Sequence, residues 1–408
     1  MSLFSFKIRL YLLFLITTNL KAQTTTVWYN HSNHPFWFDT TRLDKPTRHY
    51  FKAMELALVN QFTQSAAMLY PLAIDTINPI AKPAQSQLAL LYFFQNQFQN
   101  VLDLTQKTKS KPAFYTDALF FNDRPKSLLT LKNVSYTVPF VLRHKSLIVV
   151  EVLIQGRRKK FVLDTGFSRT AISRLLANEL GLVVYESNST VSTATGSTQV
   201  AISSIKHLEF GNVLLENWPV YCYSSFPLRH IDGVIGLDVL RQISYTVNFP
   251  QTRLTIEKTV ADSSLTKNLF GLSMPMMAIQ VANDQRLDVF YDSGSDGFDL
   301  NKNAITKLKP LPIGRKLIVI RGINKGISIR LGKRVKHLNL THDGYLLSCK
   351  NIPISTREDD VFSIPTTGIM GNRPFRKGLL RIDFPNNHYS YEATPSLLQK
   401  TASAKPVQ

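Results

Sequence analysis

The feature that most constrains this chain is an internal duplication in its second half. Asp164-Thr165-Gly166 returns as Asp292-Ser293-Gly294, and Ile205-Lys206-His207-Leu208 returns as Val335-Lys336-His337-Leu338. Gly233-Val234-Ile235-Gly236 returns as Gly368-Ile369-Met370-Gly371, and Val247-Asn248-Phe249-Pro250 as Ile382-Asp383-Phe384-Pro385. Cys222 and Cys349 make a further landmark in the same order. Such agreement in order points to two equivalent lobes, over 134–262 and 268–394. Their local pattern is β. Leu147 to Ile154 is an apolar run, Gln155-Gly156 a turn and Lys160 to Leu163 a second run, which together read as a hairpin. Similar runs separated by Gly, Asn and Ser continue to Tyr391, so the fold is expected to be mostly β.

In each unit an apolar strand, Phe161-Val162-Leu163 or Val289-Phe290-Tyr291, ends in Asp-Thr/Ser-Gly, and an apolar-apolar-Gly segment follows later. A lone Asp-Thr-Gly is common in turns. The pair, each with its downstream partner, resembles the pepsin-like and retropepsin-like aspartic peptidases across both halves of 134–394. The resemblance implies a bilobal acid-protease fold in which Asp164 and Asp292 are the catalytic carboxylates. It implies motif support from Thr165, Gly166, Ser293 and Gly294, with the two hydroxyls cross-linking the loops beneath the dyad. It also implies that the apolar-apolar-Gly segments pack beside those loops.

The chemistry explains these residue types. Two adjacent carboxylates cannot both ionise and so share a proton. The ionised one activates a water between them, while the protonated one stabilises the developing charge on the peptide carbonyl. The resemblance thus implies hydrolysis without a cofactor, by an endopeptidase acting on peptide or protein as a single chain. A flap must close over the site. Val191 to Val200, with Gly196 at its tip, is the candidate in lobe one, and Arg321 to Gly326, with Gly322, in lobe two. Neither carries a tyrosine, so the flaps resemble retropepsin flaps. Phe167 departs from the family pattern, which has a small residue there. It motivates the alternative of an inactive peptide-binding envelope module on the same fold.

Other chemistries fare worse. His207 and His337 read as strand residues, and His31 and His34 lack Cys or acidic neighbours, so no metal site is expected. No Gly-x-Ser-x-Gly elbow occurs. With two cysteines in 408 residues the chain is no disulfide scaffold, and buried free thiols are expected.

Ahead of the β region, 46–130 carries helical spacing: Ala53, Leu56, Ala57 and Phe62, then Ala66, Leu69 and Tyr70. Asn60-Gln61-Phe62 recurs as Asn96-Gln97-Phe98, a spacing similar to that of tetratricopeptide hairpins, though Pro79 and Pro83 interrupt it. Residues 23–45 are polar, and 395–408 read as a disordered tail. Residues 1–22 place Lys7 and Arg9 before an apolar run and end at Ala22, the layout of a signal peptide, so export to periplasm or medium is expected. The net charge of +20 is spread along the chain without a nucleic-acid motif. It suits contact with anionic envelope polymers or lipid head groups.

Overall fold

The computed structural model describes residues 26–27, 37–38, 41, 43–75, 77–143, 147–193, 196–224, 230–281, 285–308, 313–321, 327–342, 344–355, 360–361 and 364–394. The expected signal peptide (1–22) and tail (395–408) lie outside the described residues, as do His31 and His34.

Helices come first. α1 (Lys45–Leu58), α2 (Phe62–Ile74), α3 (Ala81–Phe94), α4 (Phe98–Thr108) and α5 (Tyr115–Asn122) each pack against the next. α1 begins where Asp44 accepts a hydrogen bond from the Thr47 N–H at 2.8 Å, with Pro46 at a position that needs no donor. Pro83 sits in the first turn of α3, where its missing N–H costs nothing, and Pro79 lies in the turn before it. Those prolines therefore start a helix. The Asn-Gln-Phe repeat marks one local structure used twice. Asn60 and Asn96 follow α1 and α3 with φ of 60° and 57°, a left-handed conformation that asparagine tolerates. Gln61 and Gln97 then open α2 and α4.

Both lobes follow the same plan. In lobe one the strands Leu147–Ile154 and Arg157–Leu163 turn through Gln155 and Gly156, whose φ values of 45° and 81° suit a two-residue hairpin turn. The second strand runs into Asp164 and pairs in parallel with Gly233–Ile235. In lobe two, Gln285–Tyr291 runs into Asp292 and pairs in parallel with Gly368–Met370. The lobes are joined by a sheet. Ser244–Asn248 of lobe one pairs with Gly378–Asp383 of lobe two, and Arg253–Glu257, His388–Ala393 and Ser135–Pro139 complete its five strands. One apolar core runs through it, from Phe140 and Ile148 to Leu380 and Tyr391. This is the mostly β, bilobal acid-protease architecture preceded by helices.

Strand pairing corrects two landmarks. Cys222 pairs with Ile172, just beyond the first Asp motif, and the matching contact in lobe two joins Leu300 to Ile354. Cys349 instead pairs with Leu338. Likewise Leu208 pairs with Ile154, whereas Leu340, not Leu338, pairs with Val281 in the matching place. Insertions in lobe two shift the frame, so similar letters there do not mark equivalent positions. The two thiols are buried, free and non-equivalent, and burial pushes both up to about 12.

Candidate active site

The parallel strand pairs bring the two Asp motifs together at the lobe boundary. Asp164 N–H donates to the Ile235 carbonyl at 3.1 Å, and Asp292 N–H to the Met370 carbonyl at 2.9 Å. Beneath the carboxyls the loops lock reciprocally. Thr165 N–H donates to Ser293 Oγ at 2.9 Å, and Ser293 N–H to Thr165 Oγ1 at 3.0 Å. Each hydroxyl then donates across the boundary, Thr165 to the Tyr291 carbonyl at 2.8 Å and Ser293 to the Leu163 carbonyl at 3.0 Å. Both side chains are buried, so every one of these groups needs the partner it has.

The glycines set the spacing. A Cβ on Gly166 would stand 2.7 Å from Asp292 Oδ1, and one on Gly294 would stand 2.1 Å from Asp164 Oδ2. Each glycine thus admits the carboxyl of the opposite lobe, and each N–H donates to its own, at 2.8 and 3.0 Å. Gly236 and Gly371 do similar work one layer out. A side chain there would press on the Arg169 and Ser295 backbones, at 2.6 and 2.1 Å.

The carboxyls share a hydrogen bond, and both residues are half-buried. Burial pushes both above the ordinary carboxylate range. For Asp164 the charge of Asp292 adds to that rise, and the Gly166 and Phe167 N–H groups oppose it. At Asp292 the shared bond and the N–H groups of Gly294 and Ser295 hold the rise back. Each carboxyl bears on the other's titration, which therefore belongs to the pair rather than to either residue.

The flap candidates fare differently. Tyr185–Thr193 and Gly196–Phe210 form an antiparallel hairpin, with Gly196 opening the second strand opposite Thr193. Gly322 lies outside the described residues, between paired strands that end at Arg321 and restart at Ile327. The Phe167 ring meets Tyr223 edge-on at 5.7 Å and packs against an apolar cluster that includes Val200 and Ile202. Among the described residues no group of His, Cys, Asp and Glu could hold a metal.

Sequence reasoning missed Arg169. It is fully buried, and it donates from Nη1 to Asn96 Oδ1 at 2.9 Å and from Nη2 to the Phe93 carbonyl at 3.0 Å. A lone cation between Phe167 and Ala171-Ile172 was the available signal. Asp238 was missed too. It is buried behind the loop and accepts from Thr170 N–H, Thr170 Oγ1 and Trp218 Nε1 at 2.7–2.8 Å.

A family model described as aspartyl protease matches residues 150–239. That span holds Asp164-Thr165-Gly166, the candidate flap hairpin of lobe one and Gly233–Gly236, and so covers most of lobe one. No curated protein matches the chain. Among solved structures, a retropepsin-like aspartic protease from Rickettsia conorii is 17% identical, over 32% of this chain and 95% of that one, at a TM-score of 0.24. At that score the fold assignment rests on the strand pairing above.

Proposed function

We propose that this chain is an aspartic endopeptidase, exported through its N-terminal leader, that hydrolyses peptide bonds with water activated between Asp164 and Asp292. The observation that carries the reading is the two-fold lock. Two carboxyls from duplicated loops share one hydrogen bond above a reciprocal Thr165–Ser293 cross-link. The chemistry follows from that geometry. The ionised carboxylate takes a proton from the water as its oxygen attacks the peptide carbon. The protonated partner donates toward the carbonyl oxygen as its charge grows. Collapse of the tetrahedral species breaks the C–N bond, and the amine leaves with a proton from the dyad.

The other reading is a module that grips peptides without cutting them, and Phe167 is the residue that favours it. Its ring meets Tyr223 edge-on and packs against the apolar cluster that also takes in Val200 and Ile202. Assay of the protein on unfolded or peptide substrates from acid to neutral pH tests the choice. Asp164→Asn and Asp292→Asn should each lower the rate by about 10²–10⁴-fold, because each removes one of two required proton roles. Peptide binding without cleavage at any of those pH values would establish the binding module instead.

A further inference from the structure

The proposed chemistry needs a flap held at the right height above the dyad, and in lobe one the helices reach that flap. α5 lies along the flap strand Tyr185–Thr193. Its Asp117 is fully buried and accepts from Ser187 Oγ at 2.6 Å and Ser189 Oγ at 2.7 Å. Ser187 Oγ also accepts from the Ser189 N–H at 2.8 Å, and the Ser187 carbonyl accepts from Gln199 Nε2 on the facing strand at 2.8 Å. Nearby on the same helix, Phe120 stacks on Tyr185 with ring centroids 5.3 Å apart.

The same helices hold the loop that carries Asp164. Arg169 bonds to the turn between α3 and α4, and its guanidinium lies over the rings of Phe93, Phe98 and Phe121. Phe121 belongs to α5, the helix that carries Asp117. Between these attachments Val191 of the flap and Phe167 of the loop pack against one apolar cluster. Burial pushes the Asp117 carboxyl up, and the two serine hydroxyls and the Arg169 charge hold it back. Apolar contact alone would fasten a helix to a strand. A buried carboxylate with a hydroxyl on each oxygen fixes direction as well as contact.

We infer that Asp117 and Arg169 are positioning residues, through which the helical region sets the lobe-one flap strand against the loop bearing Asp164. The effect on catalysis rests on the peptidase reading; the effect on the flap does not. The test uses the full chain carrying Asp117→Asn, with Ser189→Ala as a milder variant that removes one hydroxyl at the rim of the same contact. Amide hydrogen exchange over 185–193 should quicken about tenfold in Asp117→Asn, and less in Ser189→Ala, while 244–257 exchanges as in the parent. KM for a peptide should rise about tenfold, by more than kcat falls, because flap closure contributes to holding substrate. The double variant should be little worse than Asp117→Asn alone, since both changes cut one network. Unchanged flap exchange in a folded variant, or exchange quickened everywhere alike, would overturn the inference. If the parent cleaves no peptide, the peptidase reading falls and flap exchange alone decides this one. If Asp117→Asn does not fold, Ser189→Ala decides it.

Discussion

Lobe one and lobe two agree at the dyad and part company one layer out. The residue after the motif glycine is Phe167 in lobe one and Ser295 in lobe two, yet both carbonyls accept from the first residue after the apolar-apolar-Gly segment. Leu237 N–H reaches Phe167 at 2.7 Å, and Asn372 N–H reaches Ser295 at 3.3 Å. Two positions further, Arg169 leaves lobe one to grip the helices, whereas its counterpart Gly297 has nothing nearer than 3.9 Å to an added Cβ. Asp238 is buried under Thr170 and Trp218, but its counterpart Arg373 lies at the surface and pairs with Asp296. Lobe two closes its polar network internally. Asn372 accepts from Tyr291 Oη at 2.8 Å and donates to the Ser293 carbonyl at 2.9 Å. The frame of the two motifs is common, and the shell around it divides the labour. The Asp164 loop is held from outside by the helices, and the Asp292 loop is held by its own lobe.

If the dyad is truly two-fold, damage to either half of the lock should cost the same. Thr165→Val orphans the Ser293 N–H and the Tyr291 carbonyl, and Ser293→Ala orphans the Thr165 N–H and the Leu163 carbonyl. Each orphaned buried group costs about 1–3 kcal/mol, so the two variants should lose similar, large amounts of stability in urea titrations. One variant tolerated and the other unfolded would break the symmetry.

The next largest effect should separate the lobes. Asn96→Gly keeps the left-handed backbone but takes an acceptor from a buried guanidinium, and should cost about 1.5–3 kcal/mol. Asn60→Gly removes neutral hydrogen bonds to the Phe384 carbonyl and Asn387 Oδ1, and should cost about 1 kcal/mol. Denaturant midpoints for the pair measure the difference, and equal costs would mean that Arg169 does not need its asparagine.

The smallest effect concerns pH. A carboxyl whose folded pKa is raised contributes stability below its unfolded value, near 3.9, and loses it as pH rises through the folded value. Asp164 and Asp292 are both raised. Asp164→Asn should therefore melt slightly above the parent at neutral pH, and that advantage should vanish in acid. Scans at several pH values would show it, and an advantage that grew in acid would contradict the shared proton.

Much of this was legible beforehand because duplication is a property of order, which survives substitution. The two Asp motifs, the hairpin turn at Gln155-Gly156 and the Asn-Gln-Phe repeat depend on local backbone demands that few residue types satisfy. What escaped depends on partners far along the chain. Arg169 meets Asn96 across 73 positions, and Asp117 meets Ser187 across 70. No periodicity marks either contact, and a buried ion reads in sequence like any surface ion. The cysteine match failed for a related reason. Pairing sets equivalence in a sheet, and insertions between the motifs had shifted the pairing.

The turn at Asn60 also bears on how the chain is made. Its Nδ2 donates to the Phe384 carbonyl and to Asn387 Oδ1, 324 and 327 positions later, and Asn387 Nδ2 returns a bond to the Val59 carbonyl at 2.9 Å. At about 5–20 residues per second, the ribosome delivers that partner roughly 15–65 s after Asn60 emerges. Phe270, Leu272 and Met276 of lobe two, which share an apolar cluster with α1 and α2, are made earlier, but the hydrogen-bonded seat of the turn waits for Phe384 and Asn387. The clasp between the front and the back of the molecule therefore shuts last, and a chain cut short before Phe384 would leave it open.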